Sequence, residues 1–156
     1  MKLRIVAVGR AKAGPEKTLV ETYAKRLTWP LSVEEVEEKR PLPGDSLKAR
    51  EAELLLAAVD ARKAAQRVVI ALDEHGKSLD SRDFAKRIGQ FRDRGAGEIV
   101  FLIGGADGHG KAVLDRADLT LSLGALTWPH MLVRALLAEQ LYRAQQILAG
   151  HPYHRD

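Results

Sequence analysis

Cysteine is absent from this chain of 156 residues. That excludes disulfides, a thiol nucleophile and any metal site built on thiolates. Long apolar runs are absent as well. No stretch approaches the roughly 20 residues needed to cross a bilayer as a helix, so no membrane partner is expected. The chain has no internal repeat and no low-complexity segment. A strong charge of one sign is also missing, since 25 Lys and Arg against 21 Asp and Glu leave a formal +4. So mild an excess does not mark a dedicated nucleic-acid coat. It is compatible with a phosphate-rich partner and equally with plain solubility. What remains is 46% hydrophobic and 29% charged residues, the balance of a globular protein with a sizeable core. The length suits a single domain over residues 1–156. The apolar core of Met1 to Arg10 is too brief, and too broken by charge, for a signal peptide; it reads as a first strand, and the expected compartment is the cytoplasm.

Apolar β-like runs alternate with longer helical patterns, the signature of an α/β parallel sheet flanked by helices. Leu3 to Val8 reads as a strand, and Glu16 to Leu27 as a helix stopped by Trp29-Pro30. Leu31 to Val36 reads as a short strand with Leu31, Val33 and Val36 turned inward. After a loop holding Pro41, Pro43 and Gly44, Asp45 or Ser46 is expected to cap a helix over Leu47 to Ala65. Arg67 to Leu72 is a near-continuous β-branched run, expected to be buried on both faces. Glu74 to Lys77 then turns the chain, Asp80 or Ser81 caps a helix containing Phe84, Ile88 and Phe91, and Ile99 to Ile103 is a further buried strand. A short helix near Lys111 to Asp115 leads to a strand at Leu119 to Leu121. The final helix opens at Thr127-Trp128-Pro129, with the proline in its first turn. It carries two apolar stripes, Val133, Leu137, Leu141, Ala144, Leu148 and Met131, Ala135, Ala138, Tyr142. A surface that wide implies burial on two sides, against the sheet and against either a second subunit or the chain's own loops.

Ligands of open parallel sheets bind beyond the carboxyl ends of the strands. Three such ends stand out: Leu72-Asp73, Gly104-Gly105, and the run from Leu123 to Trp128. Glycines there let a ligand approach the backbone closely, although each taken singly reads equally as a turn residue. The glycines fit neither a phosphate-binding P-loop, which needs Lys-Ser or Lys-Thr after them, nor the dinucleotide fingerprint. His130, at the start of a helix, can touch a substrate or cap locally. His151 and His154 lack the carboxylate spacing of a metal site. Tyr153, His154 and Arg155 offer a ring to stack on a base, an imidazole for proton transfer and a guanidinium for phosphate, unless the segment is merely frayed. Arg134, one turn from the pocket loop, is the better phosphate candidate of the pair Arg134 and Arg143.

Leu102-Ile103-Gly104-Gly105 with Gly108, then Leu121-Ser122-Leu123 with Leu126-Thr127-Trp128-Pro129-His130, then Arg134, Glu139-Gln140-Leu141-Tyr142-Arg143-Ala144 and Pro152-Tyr153-His154-Arg155, resemble the RlmH family of SPOUT-class methyltransferases. Leu3 to Gly9 and Glu21, Tyr23 and Lys25-Arg26-Leu27 extend the resemblance to essentially the whole chain. Two positions depart from it: Trp128 replaces other bulky apolar residues, and His109 stands where an apolar residue is usual.

The resemblance implies a SPOUT-type parallel α/β domain with a C-terminal trefoil knot, a homodimer, and S-adenosylmethionine held in the knot. It implies cofactor contacts from Leu72, Gly104, Leu123, Gly124, Ala125, Leu126, Thr127 and Trp128. The implied reaction is methylation of N3 of a pseudouridine in large-subunit (23S) ribosomal RNA, on the assembled ribosome. Under it, His154 or His130 assists loss of the N3 proton, and Tyr153, Arg155 and Arg134 meet RNA. Two other readings stay open at this point: a ribosome-binding protein without catalysis, which would bind no cofactor, and a metal-dependent nucleotide hydrolase, against which the missing Lys-Ser or Lys-Thr argues.

Overall fold

The computed structural model describes all 156 residues. Five strands, β1 (Lys2–Val8), β2 (Leu31–Val36), β3 (Arg67–Ser78), β4 (Glu98–Ile103) and β5 (Leu119–Ser122), form one parallel sheet in the order β2-β1-β4-β3-β5. The helices are α1 (Pro15–Arg26), α2 (Gly44–Asp60), α3 (Ser81–Asp93), α4 (Lys111–Arg116) and α5 (His130–Leu148). No helix is long and apolar enough to cross a membrane.

Side chains alternate across the strands and feed two cores. Ile5, Ile70, Ile99, Phe101 and Ile103 pack with Phe84, Ile88, Leu137 and Leu141, on the face of α3 and α5. Val6, Val69, Ala71, Val100 and Leu102 pack with Leu55, Val59 and Val113, on the face of α2 and α4. Every residue of the central β4 is buried, as expected of a strand covered on both faces.

The last helix resolves its two stripes within the chain. Its Leu137 and Leu141 enter the sheet core, while Ala135 and Ala138 join Val20 of α1 in a third cluster. The small side chains of α5 let α1 approach closely on that flank, and α3 packs on the other.

Several boundaries differ from the sequence expectation, each for a tertiary reason. Helix α2 starts earlier, at Gly44, with Pro43 as an extended N-cap and no side-chain cap from Asp45 or Ser46. It also stops at Asp60, short of Ala65, because Arg4 takes the carbonyls of Ala58 and Val59 at 2.8 and 3.2 Å, acceptors the next helical turn would have used. Residues 74–77 do not end β3. The strand detours after Leu72 and rejoins β5, where Lys77 pairs with Leu121 and Ser78 with Ser122. Gly76 permits this, since a Cβ there would lie 2.7 Å from the backbone of Thr120 and Leu121. Val33 is 40% exposed, because β2 is the sheet edge and an open hollow beside α1 leaves it uncovered. Pro129 is the N-cap of α5, one residue ahead of the expected first turn. Asp80 caps α3 as expected, its Oδ1 accepting the Asp83 amide at 2.8 Å.

Candidate active site

The carboxyl ends of β4 and β5 and the detour of β3 after Leu72 open into one cleft of about 480 Å³, within the range of small-molecule sites. Leu72, Gly104, Leu123, Gly124, Leu126, Thr127 and Trp128 all line it; Ala125 is exposed and turned off its surface. The convergence expected from sequence is therefore present.

Gly104, Gly105, Gly108 and Gly124 all belong to this lining, and the sequence explains why. A Cβ on Gly104 would come within 3.1 Å of the Gly108 backbone, and one on Gly105 within 2.9 Å of both Glu51 carboxylate oxygens. Gly108, at φ 78°, closes the loop through an isolated bridge to Gly105. On the other wall, the Ser122 hydroxyl accepts from the Gly124 amide at 3.2 Å and donates to the Gly124 carbonyl at 3.1 Å. The Trp128 indole N–H reaches the Leu123 carbonyl at 3.4 Å. These bonds hold Leu123–Trp128 as a shaped strap along the cleft. Leu126 is 72% exposed at the mouth, an apolar group that a bound ligand or macromolecule would cover.

Two buried polar groups lie under the glycine loop, and sequence reasoning assigned neither a place in the site. The His109 Nε2–H donates to the Leu102 carbonyl at 3.1 Å and ties the loop to β4. Burial holds its imidazole below the ordinary value, so the ring is neutral, and its Nδ1 has no partner. The departure from an apolar residue at this position thus fixes the shape of the loop. Glu51, from α2, is buried beneath Gly105; burial pushes its carboxyl above the ordinary value and the charge of Asp107 adds to the shift. A carboxylate four residues into an amphipathic helix pattern offered no sequence signal that it would underlie a loop some fifty positions on.

The remaining expected site residues divide. His130 lines the cleft at the start of α5. Tyr153, His154 and Arg155 lie off the cleft of their own chain, along the second half of α5. Tyr153 donates to Glu139 at 3.1 Å, and its ring packs edge-on against Tyr142 at 4.8 Å. Burial and then the Glu139 bond push its phenol up to about 12, so it stays protonated and is no base at neutral pH. His154 has both ring nitrogens engaged, Nδ1 by Arg143 at 3.0 Å and Nε2 beside Asp156 at 3.3 Å.

Arg134 is the correction. It is 3% exposed, pointing inward. Its guanidinium pairs with Glu35 at 2.6 Å and donates to the carbonyls of Gly9 and Val8 at 3.1 and 3.4 Å. Glu35 also accepts the Ala11 amide at 2.6 Å. Burial works to raise the Glu35 carboxyl, but the Arg134 and Ala11 bonds outweigh it and hold it below the ordinary value. Arg134 therefore ties α5 to the ends of β1 and β2 and has no free fork for phosphate. No group of three or more His, Asp or Glu side chains is placed to hold a metal ion.

A five-stranded parallel sheet whose carboxyl edge offers a glycine-bearing cleft defines the class: an open α/β protein with a small-molecule site at the strand ends. The fold superposes on 99% of this chain and 70% of a probable methylase family protein from Haemophilus influenzae Rd KW20, with a TM-score of 0.58 at 14% identity, a likeness of fold alone. The family model described as predicted SPOUT methyltransferase matches residues 1–154, and the chain belongs to that family. It is 62% identical over 155 residues to ribosomal RNA large subunit methyltransferase H of Paramagnetospirillum magneticum, covering 99% of each chain. To the protein of the same name from Rhodospirillum rubrum it is 56% identical over 156 residues, covering 100% of each.

Proposed function

We propose that this protein transfers the methyl group of S-adenosylmethionine to N3 of a pseudouridine in large-subunit (23S) ribosomal RNA, acting on the assembled ribosome in the cytoplasm. The observation that carries the reading is the cleft. Gly108 and Gly124 face open space on its lining, main-chain amides and carbonyls there can read the edge of an adenine, and Leu72, Leu123, Leu126 and Trp128 supply apolar surface for the ring. These residues fit the cofactor, which would supply an electrophilic methyl on a sulfonium. The site residues proposed to hold it are Leu72, Gly104, Leu123, Gly124, Leu126, Thr127 and Trp128. Ala125 belongs to the set only through its main chain.

In this reading the chain's task is alignment. Holding the RNA base within reach converts a bimolecular encounter into an oriented one, the larger share of the rate for a reaction with so good a methyl donor. The N3 proton must leave. Of the three histidines lining the cleft, His75, His109 and His130, His109 is buried and fastened to the Leu102 carbonyl; His130, at the start of α5, is assigned as the proton acceptor, in preference also to His154, whose nitrogens are both engaged.

A second copy completes the arrangement. An apolar groove of about 690 Å³ runs beside α1 and α5, lined by Leu19, Tyr23, Leu79, Trp128, Leu132 and Leu136, with Leu19 41% and Trp128 37% exposed. The groove begins at the lip of the cleft and ends at Glu139, where Tyr153 docks. A homodimer seated there would bring the tail of one protomer toward the cleft of its partner, so that Tyr153 and Arg155 grip RNA across the interface. We also read the crossing after β5 as the trefoil knot. It leaves the sheet edge beyond β3, yet delivers α5 between α1 and α3. One domain then spans the chain.

Calorimetry with S-adenosylmethionine, followed by mass spectrometry of ribosomal RNA from cells lacking the protein, tests the reading. Binding, and loss of one methyl from a large-subunit pseudouridine, is expected. No binding would leave a ribosome-binding protein without catalysis. Equal methylation of naked RNA and intact ribosomes would remove the assembled ribosome as the substrate.

A further inference from the structure

The segment after α5 is fastened at His151, Tyr153, His154 and Asp156. The His151 amide donates to the Gln146 carbonyl at 2.9 Å, and the Tyr153 amide donates to His151 Nδ1 at 3.2 Å. The Tyr153 ring lies under the Arg143 guanidinium at 4.9 Å. Asp156 receives two parallel bonds from the Nε and terminal nitrogen of Arg82, in α3, both at 2.7 Å. Between Tyr153 and Asp156 sits His154, bridging Arg143 and Asp156. Arg155, the one Lys or Arg of this segment, is exposed and forms no ion pair.

The chemistry of His154 fixes the sense of this bridge. A guanidinium has only donors, so the Nδ1 facing Arg143 must carry a lone pair. The ring is then neutral with its proton on Nε2, directed at the Asp156 carboxylate. In that state it has no free lone pair to take a proton from a substrate. The imidazole is a strut, and the carboxylate it leans on is itself oriented by the Arg82 fork.

We propose that Arg82 and Asp156 are positioning residues, a latch on α3 that locks His154 in the Nε2–H tautomer and so presents Arg155 as the one free cation of the tail. The inference rests on the proposed methylation of ribosomal RNA, because Arg155 meets phosphate only in that reaction. It adds residues that act through the tail without touching substrate. Arg82 lies 74 positions from Asp156, and nothing in the local pattern of α3 singles it out from the other surface arginines.

Arg82→Ala, Arg82→Lys, Asp156→Ala and the double variant Arg82→Ala/Asp156→Ala are compared with the unchanged chain on intact ribosomes at saturating S-adenosylmethionine. Each alanine variant should lose about twofold to fivefold in kcat/KM for ribosomes, the scale of an exposed ion pair with good geometry. Arg82→Lys, which keeps the charge without the fork, should recover only part of the loss. The double variant should be no worse than the poorer single, since both remove the same contact. Independently of activity, ¹⁵N spectra of the His154 ring should show the proton on Nε2 in the unchanged chain and a mixture of tautomers in Asp156→Ala, where the ring, without its brace, swings free of Arg143. Unchanged rates in both single variants, a multiplicative double, or a His154 proton on Nδ1 would overturn the latch. If the unchanged chain neither binds the cofactor nor methylates ribosomes, the functional reading fails instead, and the ring spectrum still decides the latch.

Discussion

At the amino edge of the sheet, Arg4 is 1% exposed yet wholly engaged. It pairs with Glu98 and Glu34, both at 3.1 Å, and takes the last carbonyls of α2. Arg67 adds a second cation on Glu98 at 2.7 Å. At the carboxyl edge the buried polar groups are under-partnered: His109 Nδ1 and Arg134 Nε have no hydrogen bond, and Glu51 has no cation. The contrast teaches where this fold is stabilised and where it is kept open. Buried charge is tolerable only when paired and hydrogen-bonded, and the amino edge meets that demand in full. The carboxyl edge tolerates unmet demand in return for a glycine loop whose backbone a ligand can reach.

The strongest way to break this comparison is Arg4→Met. It should lower unfolding stability by about 3–5 kcal/mol, because the α2 carbonyls lose their donor and Glu34 and Glu98 lose a buried cation. Urea denaturation measures it, and cofactor affinity per folded molecule should not change. A loss below 1 kcal/mol would mean that Arg67 alone satisfies the edge.

Next in size is Arg134→Ala, expected to cost about 2–3 kcal/mol by stranding Glu35 and the Gly9 carbonyl. The slope of RNA affinity against salt should stay the same. A slope shallower by about one unit would instead make Arg134 a phosphate contact.

Gly105→Ala probes the open edge. Its Cβ would sit 2.9 Å from the Glu51 oxygens, so the loop must shift and S-adenosylmethionine affinity should fall by about tenfold, near 1.4 kcal/mol. Calorimetry reads this, and Glu51→Ala in the same chain should restore much of it. No restoration would place the loss in the loop backbone alone.

The smallest effect is one of pH, and its sign differs between the edges. Burial works to raise the Glu98 carboxyl, but the Arg67 and Arg4 bonds dominate and hold it below the ordinary value of 4.5. Its contribution to stability is therefore present above pH 4.5 and is lost as pH falls through the lowered value. Glu51 is raised above 4.5, so folding favours its protonated form and stability declines as pH rises from 4.5 through the raised value. Glu51→Gln should remove that decline and leave the acid limb intact. Denaturation across pH checks it, and an equal offset at every pH would mean the carboxylate has no electrostatic penalty there.

Much of the cleft was legible beforehand because its signals are local. A buried parallel strand reads as an unbroken apolar run, and Gly104-Gly105 and Gly124 stand next to the strand ends they serve. Asp80 was legible as a cap for the same reason. The misread positions answer to partners far along the chain. The early stop of α2 depends on Arg4, 54 positions from Ala58. The burial of Arg134 depends on Glu35, 99 positions away. On a helix wheel, Arg134 beside a pocket loop looks the same whether it faces phosphate or the underside of β1.

Periodicity and composition by themselves determined that this chain is a layered α/β protein with a glycine-bearing carboxyl edge, because hydrophobic spacing and backbone permissiveness are properties of neighbouring residues. Only the tertiary structure decided which charged groups are indoors, that His109 and Glu51 underlie the loop, and that His154 braces the tail without facing its own cleft. Those outcomes depend on which side chains meet across the sheet, and the free energy of a buried charge is set by its partners in space, whatever their distance in sequence.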